Sequence, residues 1–149
     1  MRIAFYAPLK PPTKGAPAGD RDIADLLIEA LARSGHAVEL ASTFSSYDGE
    51  GDMDRQAALR DRGVALARQL VAQWRTGTRV AQPDLWFTYH VYYKAPDWLG
   101  PPLSAAYGIP YVIAEASHAP KRAGGRWAIG HYAAGDAIRH ADQIGRAHV

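Results

Sequence analysis

Apolar and polar positions along this chain switch between two periods, and the switches mark out its elements. Residues 2–7 form a short apolar run stopped by Pro8, which predicts a buried strand. Residues 10–19 hold three prolines and two glycines and predict a loop. From Asp20, a good N-cap, Ile23, Leu26, Leu27, Ala30 and Leu31 recur at helical spacing until Gly35, which suits a left-handed C-cap. Val38 and Leu40 mark a second strand running to about Ser42.

Residues 44–52 are polar and lack a period. A long helix is then predicted over residues 52–74, with Leu59, Leu66, Leu70, Val71 and Trp74 on one face. After a linker at residues 76–82, Pro83-Asp84 introduces a third strand, residues 85–89, and residues 91–100 form an aromatic-rich loop. Pro101 suits the first turn of a short helix that ends at Gly108. Residues 111–116 read as a fourth strand and residues 117–125 as a loop. A final helix carries Trp127, Ala134, Ala137, Ile138 and Ala141 on one face.

The resulting order, β-α-β-α-β-α-β-α, predicts an α/β fold: a Rossmann-like, doubly wound parallel sheet, because strands joined through helical crossovers pair in parallel. Ligands of such sheets sit outside the carboxyl ends of the strands. Three loops are expected to converge there, residues 8–19, 90–100 and 117–125, and together they hold all four lysines, Lys10, Lys14, Lys94 and Lys121. Residues 143–149 show no strand pattern. Their run Ile-Gly-Arg-Ala-His-Val is similar to the translation of a sequencing-library adapter, so they are expected to be a non-native tail.

Composition narrows the classes of function. The chain has 149 residues, enough for one sizeable core but not for two full α/β domains. Cysteine is absent, which removes thiolate chemistry and disulfides and suits a cytoplasmic setting. Net charge is only +2, so bulk electrostatics imply no nucleic-acid partner. No stretch approaches the length of a transmembrane segment, and a peripheral membrane contact is left open.

Candidate chemistry follows from the loops. Gly15 and Gly19, with Asp20 and Arg21 opening the first helix, occupy the place of a phosphate loop, where backbone N–H groups can meet an anion or a sugar hydroxyl. The segment matches neither G-x-G-x-x-G nor a Walker sequence, and the second strand ends in Ala41-Ser42 without an acidic residue, which disfavours NAD. His90 ends the third strand and His118 follows the fourth, so both are expected at one crevice, with a structural hydrogen bond as the plainer role for either. Only Asp97 and Glu115 could join them as metal ligands, and no metal or other cofactor is expected. Tyr92, Tyr93 and Trp98 offer a platform for a sugar ring, or packing beneath the loop. Asp48, Glu50 and Asp52 read as a solvated acidic loop rather than a metal motif.

Three segments carry a resemblance. Ser34-Gly35-His36-Ala37-Val38-Glu39-Leu40 after the first helix, Pro83-Asp84-Leu85-Trp86-Phe87-Thr88-Tyr89-His90, and Ile109-Pro110-Tyr111-Val112-Ile113-Ala114-Glu115-Ala116-Ser117-His118 resemble, in order and spacing, the N-terminal domain of family 4 glycosyltransferases of the GT-B type. The resemblance covers residues 1–142. It implies that the chain is the acceptor-side half of a two-domain enzyme whose donor-binding half is missing. The whole would transfer a glycosyl group from a nucleotide-sugar to a saccharide or lipid-linked acceptor without a catalytic metal. It further implies that His118 lies near the reacting sugar. Gly15, Gly19, Asp20, Arg21, His90, Tyr92, Lys94, Ser117, Lys121 and Arg122 become candidates for donor or acceptor binding. The adjacent glycine pair common in that family's first loop is absent here, Gly15 and Gly19 being separated. A flavodoxin-like binding module, or a GT-B epimerase or phosphorylase relative, would share this pattern of elements.

Overall fold

The computed structural model describes residues 1–12, 20–79 and 81–145, with the backbone alone for residues 20–22. Five parallel strands, β1 (Arg2–Tyr6), β2 (Ala37–Leu40), β3 (Leu85–Val91), β4 (Tyr111–Ala116) and β5 (Gln143–Gly145), lie in the order β2-β1-β3-β4-β5. Helices α1 (Asp20–Arg33), α2 (Met53–Arg75), α3 (Gly100–Tyr107) and α4 (Ala128–His140) form the crossovers. The α/β, Rossmann-like class expected from the sequence is the class observed. The chain adds β2 on one side of β1 and β3 to β5 on the other. A crossover of constant hand then moves the later helices to the opposite face.

Two cores result. Phe5, Ala7 and Tyr89 meet α1 through Ala24, with Leu27, Ile28 and Leu31 packed alongside. Tyr6, Trp86, Tyr111 and Ile113 on the other face meet Leu70 and Trp74 of α2, Leu103 of α3, and Ala134 and Ala137 of α4. The buried stripe of α1 is therefore Ala24-Leu27-Ile28-Leu31, while Ile23 and Leu26 of the expected face are 47% and 62% exposed. Small Ala24 lets the helix approach the sheet, and the stripe centres on it.

One polar group organises the larger core. Asp97, in the loop between β3 and α3, is buried, and its Oδ1 accepts from the backbone N–H groups of Leu99 and Gly100 at 2.9 and 2.8 Å. Its Oδ2 accepts from Thr88 Oγ1 of β3 at 2.6 Å and from the Tyr111 hydroxyl of β4 at 2.5 Å. Trp86 Nε1 completes the chain by donating to Thr88 Oγ1 at 2.8 Å. One carboxyl group thus ties two neighbouring strands to the start of α3. A Cβ at Gly100 would lie 2.4 Å from Asp97 Oδ2, so only glycine admits this approach.

Elsewhere the boundaries shift in informative ways. β3 runs to Val91, so His90 lies inside the strand rather than ending it. Residues 120–122 form a 3₁₀ turn within the predicted loop. Gln143–Gly145 form an edge strand beside β4, which corrects the expectation of no strand there. Only Ile144 is apolar, so side-chain pattern cannot reveal it. The chain is clamped alongside β4 because Asp142 N donates to Tyr111 O and Tyr111 N donates to Asp142 Oδ2, both at 2.8 Å. Residues 146–149 of the expected tail lie outside the described residues.

Burial raises the Asp97 pKa, against the lowering effect of its four hydrogen bonds. A raised folded-state value means that Asp97 contributes stability fully present below its unfolded pKa and lost as pH rises through the folded one. Asp97→Asn is neutral throughout. The unfolding free energy of the wild type relative to Asp97→Asn is therefore expected to fall as pH rises through that window, measured by urea denaturation across pH. Asp97→Ala, which strands four donors, is expected to cost about 3 kcal/mol or more at any pH. A pH-independent difference from the Asn variant would contradict this account.

Candidate functional site at the carboxyl edge of the sheet

Parallel pairing brings the carboxyl ends of β1, β3 and β4 to one edge, with the reversal of strand order between β1 and β3. A fourth loop, residues 42–52 after β2, was not expected to take part and does. Ser46 N donates to Pro8 O and Ser45 Oγ to Leu9 O. Ser46 Oγ donates to Pro96 O, and Asp48 N to Lys94 O. The loop is therefore a clasp across the ends of β1 and β3.

Asp48 is the buried pivot of the clasp, 3% exposed, where a solvated acidic loop was expected. It accepts from Glu50 N, Asp52 N and Gln56 Nε2 at 3.1, 2.9 and 2.9 Å. Local side-chain to backbone bonds of this kind stabilise a turn without any metal. Asp52 caps α2 by accepting from Arg55 N. Gln56 extends the clasp to the third loop by donating to Arg126 O and accepting from Gly130 N. Trp127 Nε1 donates to Asp48 O at 3.1 Å.

His90 and Glu115 are the two non-glycine residues with positive φ among those described, +69° and +68°. They fall opposite each other, between the register pairs Tyr89↔Ala114 and Val91↔Ala116. On both strands the side-chain alternation breaks there. Tyr89 and Ala114 pack with the α1 core, but Val91 and Ala116 pack with the other. Each left-handed residue costs about 1–2 kcal/mol and persists only where its surroundings fix it. Matched kinks let the ladder continue past the strain. The His90 ring stacks on Tyr92 at 4.9 Å, and its buried Nδ1 has no hydrogen-bond partner.

His118 lies beyond β4, exposed, with its ring 5.0 Å from that of His131 on α4. A Cβ on Gly135 would sit 3.6 Å from His118 Cε1 and 3.3 Å from Arg139 Nη1, so the imidazole rests on that helix at its glycine, beside Arg139. Ser117 is exposed, and its N–H donates to Val91 O. Lys121 and Arg122 occupy the 3₁₀ turn, Lys121 exposed. Lys94 and Arg122 both stand over the rings of Tyr93 and Trp127. Trp98 packs instead against the larger core.

The structure thus draws His90, Tyr92, Lys94, Ser117, His118, Lys121 and Arg122 to one edge, on the loops and strand ends of β3 and β4. Gly15 and Gly19 lie outside the described residues. Asp20 and Arg21 are described by backbone alone, at the start of α1. No group of three or more His, Asp or Glu among the described residues could hold a metal ion. Sequence reasoning missed His131, which interrupts the apolar stripe Trp127-Ala134-Ala137 of α4 at helical spacing. It also missed Asp48, Gln56 and Arg126, which carry no such signal. Comparison with protein-family models, curated proteins and solved structures returns no match.

The strain at residue 90 is separable from the loss of its ring. His90→Gly and His90→Ala both remove the imidazole, but only glycine relaxes a φ of +69°. His90→Gly is expected to be more stable than His90→Ala by about 1 kcal/mol in chemical denaturation. Equal stabilities would mean that the backbone relaxes at residue 90 without cost.

Proposed function

We propose that this chain is the acceptor-side domain of a glycosyltransferase that uses a nucleotide-sugar. The observation that supports it best is the arrangement at the carboxyl edge: imidazoles, stacked aromatic rings and cations that pair with no carboxylate among the described residues, on the ends of adjacent parallel strands. Aromatic faces suit the apolar faces of a sugar. In glycosyl transfer a bond forms from an acceptor hydroxyl oxygen to the anomeric carbon as the bond from that carbon to the diphosphate oxygen breaks. The electrons of the broken bond leave on the nucleoside diphosphate, and the hydroxyl proton passes to a base. Cations would stabilise the departing phosphate, and His118 would hydrogen-bond sugar or acceptor as charge develops.

A donor-binding domain would supply the opposite wall, and positioning between two walls accounts for much of the rate. The 149-residue chain alone is therefore expected to release no nucleoside diphosphate from any nucleotide-sugar. Turnover by the purified chain would overturn the half-enzyme reading.

With a donor-binding domain present, His118→Ala is expected to lower turnover roughly ten- to a thousand-fold with little change in Tm. Unchanged turnover with a lowered Tm would make His118 a framework residue resting on α4.

A second reading draws support from the strand order β2-β1-β3-β4-β5, which is also the flavodoxin-like order. Under it the domain is a binding module that acts without a second half. A monomer that unfolds in one sharp cooperative transition and binds its ligand unaided would favour this reading over the first.

A further inference from the structure

Three basic side chains surround one indole ring. The guanidinium carbon of Arg122 lies 4.7 Å from the Trp127 centroid and 5.1 Å from that of Tyr93. Lys94 Nζ lies 5.3 Å and 5.9 Å from the same two rings, and the guanidinium carbon of Arg126 lies 6.0 Å from Trp127. The rings themselves meet edge to face at 5.4 Å. Three cations from two loops thus share one aromatic platform. The platform is fixed from beneath by the Trp127 indole N–H bond to Asp48 O.

Among the described residues no carboxylate pairs with any of the three. Arg126 Nη1 donates to the backbone carbonyl of Glu50 at 3.4 Å, and the carboxylate oxygens of Asp48 are taken by Glu50 N, Asp52 N and Gln56 Nε2. Arg122 Nε is buried with no acceptor. Ring faces attract each cation, but they satisfy no N–H donor and do not cancel repulsion among like charges. An anion with several acceptor oxygens would meet both the charge and the Arg122 Nε donor.

We infer that Lys94, Arg122 and Arg126 around Trp127 form a binding site for a phosphate monoester, the phosphate of a phosphorylated sugar or polyol. A tetrahedral dianion can offer separate oxygens to three cations on two loops, and a guanidinium can engage it through Nε and Nη together. A planar carboxylate fits one fork and leaves the rest unpaired. Tyr92 and Tyr93 extend the platform towards His90, where the carbon skeleton of the ester would lie. This rests on the glycosyltransferase reading only in naming the ester as the acceptor; the binding itself needs no donor domain.

The test uses the 149-residue chain and follows the Trp127 indole N–H resonance by NMR, assigned with Trp127→Phe. Glucose 6-phosphate, inorganic phosphate and glucose are titrated separately at fixed ionic strength. The site predicts saturable shifts with the ester, weaker binding of inorganic phosphate and none of glucose. Arg122→Gln and Lys94→Gln, each checked for native circular dichroism, should each weaken ester binding by about tenfold or more. The assignment is overturned by no saturable shift, by glucose binding as well as the ester, by inorganic phosphate binding as tightly as the ester, or by undiminished binding in both folded variants. Ester binding by a chain that never supports glycosyl transfer, even with a donor-binding domain, would sink the transferase reading and leave the phosphate site standing.

Discussion

The carboxyl group of Asp97 holds β3, β4 and the start of α3 in one arrangement, and the edge of the sheet inherits its geometry from that bond set. Removing a carboxylate from water is costly unless its lone pairs are met, and here four donors meet them. Two come from side chains on neighbouring strands and two from the first turn of a helix. Tyr111 and Tyr6 sit in the same core, where burial and the nearby Asp97 charge push both phenols well above their ordinary pKa and keep them protonated. Tyr6 spends its proton on Phe44 O, which fixes the beginning of the β2–α2 loop. A polar network of this kind fixes register and helix placement together, because each member has a single set of partners that leaves nothing unpaired.

From that frame the outer edge is assembled by the clasp of residues 42–52. Its backbone and serine hydroxyls bond to the ends of β1 and to the loop after β3, and Gln56 carries the connection to α4. Gly130 is where α4 comes closest: a Cβ there would lie 2.0 Å from the carbonyl oxygen of Tyr93. The Tyr93–Trp127 platform and the cations over it therefore sit on backbone that is pinned from several sides. A rigid base is what a charged binding surface needs, since ordering long basic side chains on mobile loops would consume much of the binding free energy.

Strain and charge gather at the same edge. His90 and Glu115 hold left-handed conformations side by side, and the buried His90 Nδ1 and Arg122 Nε lack partners. Each feature disfavours the folded state by itself; the left-handed pair belongs to this edge among the described residues, while at the opposite edge the buried Trp74 Nε1 also lacks a partner. Such local costs persist where the surroundings over-determine them and commonly mark ligand sites. A phosphorylated ligand seated on Trp127 would extend from the cations towards the His90–Tyr92 stack, with His118 on the neighbouring loop.

Period and punctuation determined the class of fold. Apolar runs of five or six residues bounded by Pro and Gly, alternating with amphipathic stretches, leave a parallel sheet as the economical solution, and its carboxyl edge as the place for chemistry. They also located His90, Lys94, His118 and Arg122 on that edge, because strand direction alone decides which loops meet. Other features depended on the folded chain. β5 has no apolar signature and exists through backbone bonds offered by Tyr111. Asp48 looks like any acidic loop residue until its own turn and Gln56 surround it. The left-handed pair at residues 90 and 115 requires two strands to distort at one register, which no single stretch of sequence encodes. The cation cluster joins residues 94, 122 and 126 through rings at 93 and 127. Local sequence specifies local conformation, but charge density and burial are sums over neighbours that only tertiary packing brings within a few ångströms.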